Sequence, residues 1–363
     1  MKNTIGNSIS VTLFGESHGK AIGAVIDGLA PGIEIDEEFI SSQMEKRKGI
    51  NAISTPRREK DEVKILSGVF ENKTTGTPLC LMIENGDTKS KDYSKTRYLA
   101  RPGHADYTAE CKYGGYQDYR GGGHFSGRIT APLVAAGAIA ISALRKKGIY
   151  IGTHILSCGE IKDRNFENIK EDIELLDSLE MPVLSEEKRN EMLSYIEKIG
   201  AEGDSTGGVL STAVIGMPEG VGEPWFDTVE GMLAHALFSI PAVKGIEFGK
   251  GFEITKIPGS KANDPFRMEN GKVVTSTNNN GGINGGITNG MPITFNLAVK
   301  PTPSIYKSQS TVDMEKKEDA VLEIKGRHDP AIIHRARVVV DSVTALVLCD
   351  LLTEKFGTDY LGR

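Results

Sequence analysis

The sequence has few cysteines, and their spacing fits neither a metal site nor a disulfide framework. Its 363 residues include four cysteines, which lie far apart without a CxxC pair: Cys80, Cys111, Cys158 and Cys349. This spacing excludes the common structural zinc motifs, and the HExxH segment of zinc hydrolases is absent from the sequence. We therefore expect buried, reduced thiols and no bound metal.

Long apolar runs and an excess of positive charge are missing as well. The longest apolar region, residues 131–144, contains Pro132 and Gly137 and ends at basic residues, which is typical of a buried helix. The first residues lack the apolar stretch of a signal peptide. A net charge of −6 and a pI near 5.8 disfavour nucleic-acid binding. We expect a cytoplasmic protein that binds neither membranes nor nucleic acids.

The usual nucleotide-binding motifs are also absent. No GxGxxG follows a predicted strand. Gly15–Lys20 and Gly245–Lys250 each have one residue too few between their glycines for a P-loop. Folds that bind dinucleotides or nucleoside triphosphates through these motifs are therefore disfavoured.

Helices and strands alternate along the chain without the regular spacing of βαβ units, which indicates an α+β fold. We predict helices over residues 35–48, 126–147, 185–199, 227–239 and 331–355. We predict strands over residues 8–14, 24–26, 63–70, 78–84 and 293–299. Asp36 and Ser185 are the predicted N-caps of two helices. The acidic residues 165–187 are expected to form a solvated face.

Glycine is abundant, with 42 residues of 363 against a usual share of ~7%. It permits tight turns and a close approach of the backbone to a ligand. Five blocks combine glycine with histidine, arginine, asparagine or lysine: Gly15–Gly19, Arg101–Tyr107, Tyr119–Arg128, Asn278–Ile287 with Lys300–Ser304, and Gly326–Pro330. Taken singly, each block can be a polar turn, a charge pair, a helix start, a flexible loop or a cap. Together they indicate one binding cavity.

The charged residues of these blocks indicate an anionic ligand. Tyr119–Arg128 leads into a predicted helix, whose N-terminus offers unpaired N–H groups to a phosphate. Arg101–Tyr107 supplies an arginine, a titratable histidine and an aspartate that can orient it. Lys46–Lys48 and Arg57–Arg58 add a basic cluster, although a solvated helix end explains its first part equally well. Because arginine binds carboxylate and phosphate bidentately, we expect a small, highly anionic substrate.

In this order, the blocks resemble those of the chorismate synthases. The similar stretches span essentially the whole chain: FGESHG (14–19), VKILSGVF (63–70), RPGHADYT (101–108), DYRGGG (118–123), GDSTGG (203–208), AVKGIEFG (242–249) and GRHDP (326–330). The resemblance implies one domain over residues 1–363, folded as a β-α-β sandwich with helices between two antiparallel sheets. It also implies a homotetramer.

The resemblance further implies a lyase that converts 5-enolpyruvylshikimate 3-phosphate to chorismate and phosphate. The reaction is an anti-1,4-elimination, the last common step towards the aromatic amino acids. The family requires reduced FMN, which is thought to donate an electron transiently as phosphate leaves, although the reaction has no net redox change. The two carboxylates and the phosphate of this substrate agree with the supply of arginines in an acidic protein.

Residue by residue, the resemblance assigns roles to positions of this chain. His18, supported by Ser17, is implied as the proton donor to the reduced flavin. His104 is implied as the acid for the departing phosphate, and Asp329 as acting with flavin N5 in removal of the C6 proton. The substrate anions are assigned to Arg47, Arg101, Arg128 and Arg327. The FMN contacts are assigned to His124, Phe125, Ser126, Pro241, Ala242, Gly285, Lys300, Pro301, Thr302, Pro303, Ser304 and Arg327.

The sequence departs from the family pattern at three places. Asn51-Ala52-Ile53 stands where many members have a second arginine, for which Arg57 or Arg58 could compensate. His124-Phe125-Ser126 replaces Arg-Ser-Ser, and Pro241-Ala242 replaces Asn-Ala.

Two other functions stay open from sequence alone. Bifunctional members of the family reduce their own flavin with NAD(P)H, but the length of this chain leaves little room for extra insertions. We therefore expect an external flavin reductase to supply reduced FMN, with NADPH as an upstream reductant. A non-catalytic flavin- or anion-binding protein would have lost the catalytic set, whereas His18, His104 and Asp329 are all present.

Overall fold

In the computed structural model, two five-stranded antiparallel sheets flank the long helices, and residues 2–50, 53–54, 61–86, 97–324 and 328–363 are described. The helices are α1 (Glu37–Glu45), α2 (Asp106–Tyr113), α3 (Thr130–Lys146), α4 (Ile169–Ser178), α5 (Glu186–Ala201), α6 (Val229–Leu237), α7 (Gly259–Ala262) and α8 (Ile333–Phe356). The strands are β1 (Thr4–Ile5), β2 (Ser10–Gly15), β3 (Ala21–Asp27), β4 (Lys64–Ser67), β5 (Val69–Phe70), β6 (Lys73–Thr74), β7 (Leu79–Glu84), β8 (Tyr150–Cys158), β9 (Ile161–Lys162), β10 (Gly208–Ile215), β11 (Val243–Phe248), β12 (Phe266–Glu269), β13 (Lys272–Thr275), β14 (Ile283–Asn284), β15 (Ile287–Thr288), β16 (Ile293–Val299), β17 (Gln309–Asp313) and β18 (Glu318–Leu322).

The first sheet has the strand order β1-β2-β3-β7-β4, and the second has the order β11-β16-β10-β8-β9. Alternate residues of β7 and β16 are buried, as expected for strands that cover a core with one face. The strand predicted over 63–70 is interrupted at Gly68, which has φ +83°. A Cβ there would lie 2.6 Å from the Leu79 Cα, so the backbones approach too closely for any other residue.

Helices α3 and α8 form the layer between the sheets. Helix α3 packs on β3 and β7 of the first sheet, α8 packs on β8 and β10 of the second, and the two helices pack on each other. The β-α-β sandwich and the α+β class are therefore confirmed. Within the described residues, one segment, Gly127–Lys146, is long and apolar enough to cross a membrane, but 83% of its apolar window is buried in this layer.

Both predicted N-caps are confirmed, and one predicted helix start is wrong. The Asp36 carboxylate accepts from the Phe39 N–H at 2.8 Å, and Ser185 Oγ accepts from the Lys188 N–H at 3.4 Å. The helix predicted to begin at Ser126 begins at Thr130, because the preceding residues form 3₁₀ turns. The acidic side chains of residues 165–187 are exposed as expected for a solvated face, except for the buried Asp172 on α4.

The close packing of α3 on α8 at Gly137 predicts that an added side chain there lowers stability. A Cβ on Gly137 would lie 2.1 Å from the Ser342 Cβ, so the helices must separate to admit one methyl group. Gly137→Ala should lower the free energy of unfolding by roughly 1–3 kcal/mol in urea denaturation. Gly259→Ala is the control, since a Cβ there meets nothing within 4 Å. Equal stabilities of the Gly137 variant and the wild type would contradict this packing.

Candidate active site

Two consecutive glycines bring together the two histidines that the sequence singled out. A Cβ on Gly121 would lie 2.1 Å from His18 Cε1, and one on Gly122 would lie 3.3 Å from His104 Cε1. Both glycines have positive φ, +59° and +87°, which L side chains rarely adopt. The backbone at Gly121-Gly122 therefore contacts both imidazole rings, and the first three glycine blocks meet at one place.

His18 follows the end of β2 and is buried together with Ser17. Ser17 Oγ lies 3.1 Å from His18 Nδ1 and 3.2 Å from the Arg120 carbonyl oxygen. The hydroxyl can donate to that carbonyl while its oxygen accepts from an Nδ1–H group. The Ser17 N–H also donates to the Gly123 carbonyl at 3.1 Å. Ser17 therefore orients the His18 ring and joins it to the glycine segment.

His104 is oriented by an aspartate that an arginine also holds. The Asp106 carboxylate lies 2.8 Å from His104 Nδ1 and accepts from Arg101 Nε and Nη2, each at 2.7 Å. Burial acts to raise the pKa of Asp106, but the hydrogen bonds from Arg101 and His104 outweigh it and hold this pKa well below its usual range. The ionised Asp106 carboxylate can only accept hydrogen bonds, so Nδ1 is assigned as the donor to Asp106, and Arg101 Nη2 donates to the same carboxylate. The other ring nitrogen, His104 Nε2, faces Gly122, where a Cβ would lie 3.4 Å from it.

Arg47 and Arg128 meet at a carboxylate that the sequence analysis did not include. Asp61 accepts from Arg47 Nη1 at 3.0 Å and, through its other oxygen, from Arg128 Nη1. Arg128 Nε donates to Asn85 Oδ1 at 3.2 Å. Asn85 Nδ2 donates in turn to the carbonyl oxygens of Glu16 and Gly19, both at 3.0 Å. The two arginines are thus connected to the loop that carries His18.

The segment assigned to FMN lies against the His104 loop. The Lys300 ammonium donates to the Gly103 carbonyl, and the Lys300 N–H donates to the Ala242 carbonyl at 2.9 Å. Ala242 has φ +76°, a strained value for a residue with a side chain. The Thr302 carbonyl accepts from Ser205 Oγ at 2.7 Å, while Thr302 Oγ1 is buried with no hydrogen-bond partner among the described residues.

Four further residues assigned to FMN are His124, Phe125, Ser126 and Gly285. His124 Nδ1 donates to the Gly15 carbonyl at 2.7 Å, and Ser126 Oγ accepts from the Arg128 N–H at 3.2 Å. Phe125 packs edge-on against Tyr113 with ring centroids 6.1 Å apart. Gly285 lies at the exposed turn between β14 and β15, and its neighbour Gly286 packs on the start of α6. The described contacts do not join Gly285 to the histidine cluster.

Asp329 lies just before α8, next to His328. Its carboxylate accepts from Arg335 Nη1 at 2.9 Å. Burial lowers the pKa of His328, and the positive charge of Arg101 lowers it further, which shows that this segment is near the His104 loop. Arg327 lies outside the described residues, as do Asn51, Ala52, Arg57 and Arg58.

Sequence analysis missed three residues of this network: Asp61, Asn85 and Arg335. Asp61 occurs in a run of charged residues without glycine, and such a run is typical of a solvated surface. Asn85 is followed by Gly86 at the end of β7, which resembles an ordinary turn. Only the basic residues close to Asp61 in sequence could have suggested a charge pair there.

The contacts of Asp106 predict a pH-dependent contribution to stability. Asp106→Asn should lower the free energy of unfolding at pH 7 by roughly 1–3 kcal/mol, because it removes charge-assisted hydrogen bonds. Since the folded-state pKa is depressed, the contribution is complete above the unfolded value of ~4 and is lost as the pH falls below it. Urea denaturation from pH 7 to pH 3 should show a constant difference between the two proteins down to about pH 4 and a narrowing difference below it, since the folded-state pKa lies lower still. The exposed Asp319→Asn is the control, and a difference independent of pH would contradict this account.

Comparison with known proteins shows the family to which this chain is similar. The sequence profile of the family described as chorismate synthase matches residues 9–353. The chain is 47% identical over 359 residues to chorismate synthase of Thermococcus kodakarensis, covering 99% of both chains. It is 48% identical to that of Dehalococcoides mccartyi, covering 97% of this chain and 96% of the relative.

A solved structure agrees with these sequence matches. A crystal structure of chorismate synthase superposes with a TM-score of 0.77 at 32% sequence identity, covering 98% of this chain and 95% of the other. Profile, relatives and fold all span nearly the whole length, and the full-length relatives are lyases by the same name. The chain therefore belongs to the chorismate synthase family of lyases.

Proposed function

We propose that the protein converts 5-enolpyruvylshikimate 3-phosphate to chorismate and phosphate by anti-1,4-elimination with reduced FMN. The observation that carries the proposal is the meeting of His18 and His104 at Gly121-Gly122, with Arg101 beside His104. An elimination of phosphate needs an acid for the leaving group, a base for the departing proton and fixed positive charge. Residues 1–363 act as one domain in this proposal.

The residues present fit FMN as a bound group. Thr302 Oγ1 is a buried hydroxyl whose hydrogen-bonding capacity no described residue uses, and a ligand can satisfy it. Ala242 and Lys300 are held together by a backbone hydrogen bond, so Pro241-Ala242 and Lys300–Ser304 form one continuous surface. We infer that these segments hold the flavin, with Gly285, His124, Phe125 and Ser126 completing the contacts. Reduced FMN held there would supply the transient electron donation that helps phosphate leave, with no net redox change.

The histidines move protons at defined atoms. His104 Nε2 donates a proton to the bridging oxygen as the C–O bond breaks and phosphate leaves with the bonding electrons. Asp106 accepts from Nδ1 and so fixes the tautomer and orientation of the ring. His18, oriented by Ser17 through Nδ1, holds a proton for the reduced flavin. Asp329, held by Arg335, acts with the flavin in removing the C6 proton.

The arginines hold the anions of the substrate. Arg101 and Arg128 are the best placed, because one adjoins His104 and the other is connected through Asn85 to the His18 loop. Arg47 adds a third positive charge next to Arg128, across Asp61. Arg327 is proposed as a fourth. Four positive groups against a substrate with two carboxylates and a phosphate would allow an acidic protein to bind this anion.

Assembly and flavin supply complete the proposal. Large aromatic side chains are exposed along residues 225–266, with Trp225 85% and Phe226 93% accessible. Exposed apolar surface of this kind is typical of subunit contacts, which supports a homotetramer. We propose a cytoplasmic, monofunctional enzyme that receives reduced FMN from an external reductase, with NADPH as the upstream reductant. The alternative is a bifunctional form with its own NAD(P)H:FMN reductase activity.

An anaerobic assay tests the reaction directly. The protein is mixed with 5-enolpyruvylshikimate 3-phosphate and dithionite-reduced FMN, and chorismate absorbance is followed. We expect product only with reduced flavin, and none with NADPH and oxidised FMN. Product in that second mixture would instead establish the bifunctional form. Binding of substrate and FMN without any product would favour the non-catalytic binding protein.

The proposed acid gives a sharper prediction. His104→Ala should lower turnover by roughly 10²–10⁴-fold, because proton donation to the leaving phosphate is lost. The affinity for FMN, followed by flavin fluorescence, should stay unchanged. His235→Ala is the matched control, since this exposed histidine lies in the last turn of α6. Turnover of the His104 variant near the wild-type value would exclude the role.

A further inference from the structure

The carboxylate of Asp61 lies between two arginines from distant segments of the chain. One oxygen accepts from Arg128 Nη1, and the other accepts from Arg47 Nη1 at 3.0 Å. The side chains are 12% exposed for Asp61, 13% for Arg47 and 11% for Arg128. At this depth two guanidinium groups repel each other with little screening by solvent, so the carboxylate is what allows them to lie side by side.

Further hydrogen bonds fix each arginine around this carboxylate. Arg47 Nη2 donates to the Gly127 carbonyl at 3.3 Å and to Thr130 Oγ1 at 3.1 Å, at the start of α3. Arg128 Nε donates to Asn85 Oδ1 at 3.2 Å. Because donors of each guanidinium are used in different directions, the planes of both groups are set by the protein.

The same network reaches the catalytic loop. Asn85 connects Arg128 to the carbonyl oxygens of Glu16 and Gly19, on either side of His18. A displacement of Arg128 is therefore transmitted to the loop that carries His18. Asp61 is three hydrogen bonds away from that loop in this network, and it touches neither histidine in the described contacts.

We propose that Asp61 is a positioning residue for substrate binding: it holds Arg47 and Arg128 at the separation and orientation that receive one anionic group of the substrate. The inference rests on the proposed function, because it assumes that both arginines face the substrate. Asp61 neutralises part of the positive charge of the site, and it keeps the two guanidinium groups ordered. Its contribution belongs to affinity and not to a chemical step.

The test compares Asp61→Asn with the wild type in the anaerobic assay. Asparagine keeps the size of the side chain but removes its charge, so the arginines repel each other and move apart. We expect the KM for 5-enolpyruvylshikimate 3-phosphate to rise roughly ten- to a hundredfold, with kcat changed by less than about threefold. FMN affinity should be unchanged. Asp61→Glu, which restores the charge on a longer arm, should give an intermediate KM.

A matched ion pair separates positioning from mere stabilisation. Asp172 on α4 is a similarly buried carboxylate that forms an ion pair with Arg164. Asp172→Asn breaks this pair and should lower the melting temperature without changing KM. In an Arg128→Gln background, Asp61→Asn should raise KM much less than in the wild type, because the pair it organises is already broken. If Asp61→Asn does not fold, the KM of Asp61→Glu decides.

Three outcomes would overturn the inference. An unchanged KM in Asp61→Asn would mean that the arginines are positioned without it. A lower KM would mean that Asp61 occupies the place of the substrate anion and competes with it. Additive effects of the Asp61 and Arg128 substitutions would mean that the two act separately. A wild-type protein that neither binds nor converts the substrate would instead refute the proposed function, which keeps the two failures distinct.

Discussion

The close approach of backbone to imidazole at Gly121-Gly122 is the constraint on which the site depends. Both rings contact a strip of chain that has no room for a side chain and whose φ values few other residues adopt. This strip precedes the 3₁₀ turn at Gly127 and the start of α3, so the main core helix and the two histidines share one short connection. A third glycine continues the constraint, since a Cβ on Gly123 would lie 2.0 Å from the Asp118 carbonyl oxygen.

Charge in this site is arranged in pairs rather than as an open positive surface. Asp106 is paired with Arg101, Asp61 with Arg47 and Arg128, and Asp118 with Arg120. The Arg120 hydrogen bonds lower the pKa of Asp118, although partial burial opposes them. Partly buried guanidinium groups need counter-charges to remain ordered before a ligand arrives. The carboxylates therefore lower the net positive charge of the site. Because they already order the arginines, they also lower the conformational-entropy cost of binding an anion there.

The sequence predicts the parts of this protein whose cause is local. Asp36 and Ser185 cap helices through neighbouring N–H groups, and β16 is found at 293–299 as the alternation of apolar residues indicates. The structure brings the first three glycine blocks together, where positive φ and close approach demand glycine, but the described contacts do not join Asn278–Ile287 to them. The start of α3 was misplaced because Gly127–Ile129 form a 3₁₀ turn before the α-helix begins at Thr130. Asp61 and Asn85 were missed because their partners are remote in sequence, and no periodicity encodes such a pairing. Arg335 was missed although its partner Asp329 is close by in sequence.

The site draws on both sheets, and this makes the helical layer part of its geometry. His18 follows β2 of the first sheet, whereas Lys300 follows β16 of the second. Asp329 precedes α8, and Arg335 on that helix holds its carboxylate. The separation of these groups is set by how closely α3 and α8 pack between the sheets, where Gly137 lies against Ser342. Because close-packed interiors transmit displacement rather than absorb it, a change of this spacing reaches the His18 loop and the Lys300 segment from opposite sides. Tight packing far from the site is therefore a requirement for the alignment of these two segments, and Gly137 and Ser342 contribute to it through the distance between the helices that they fix.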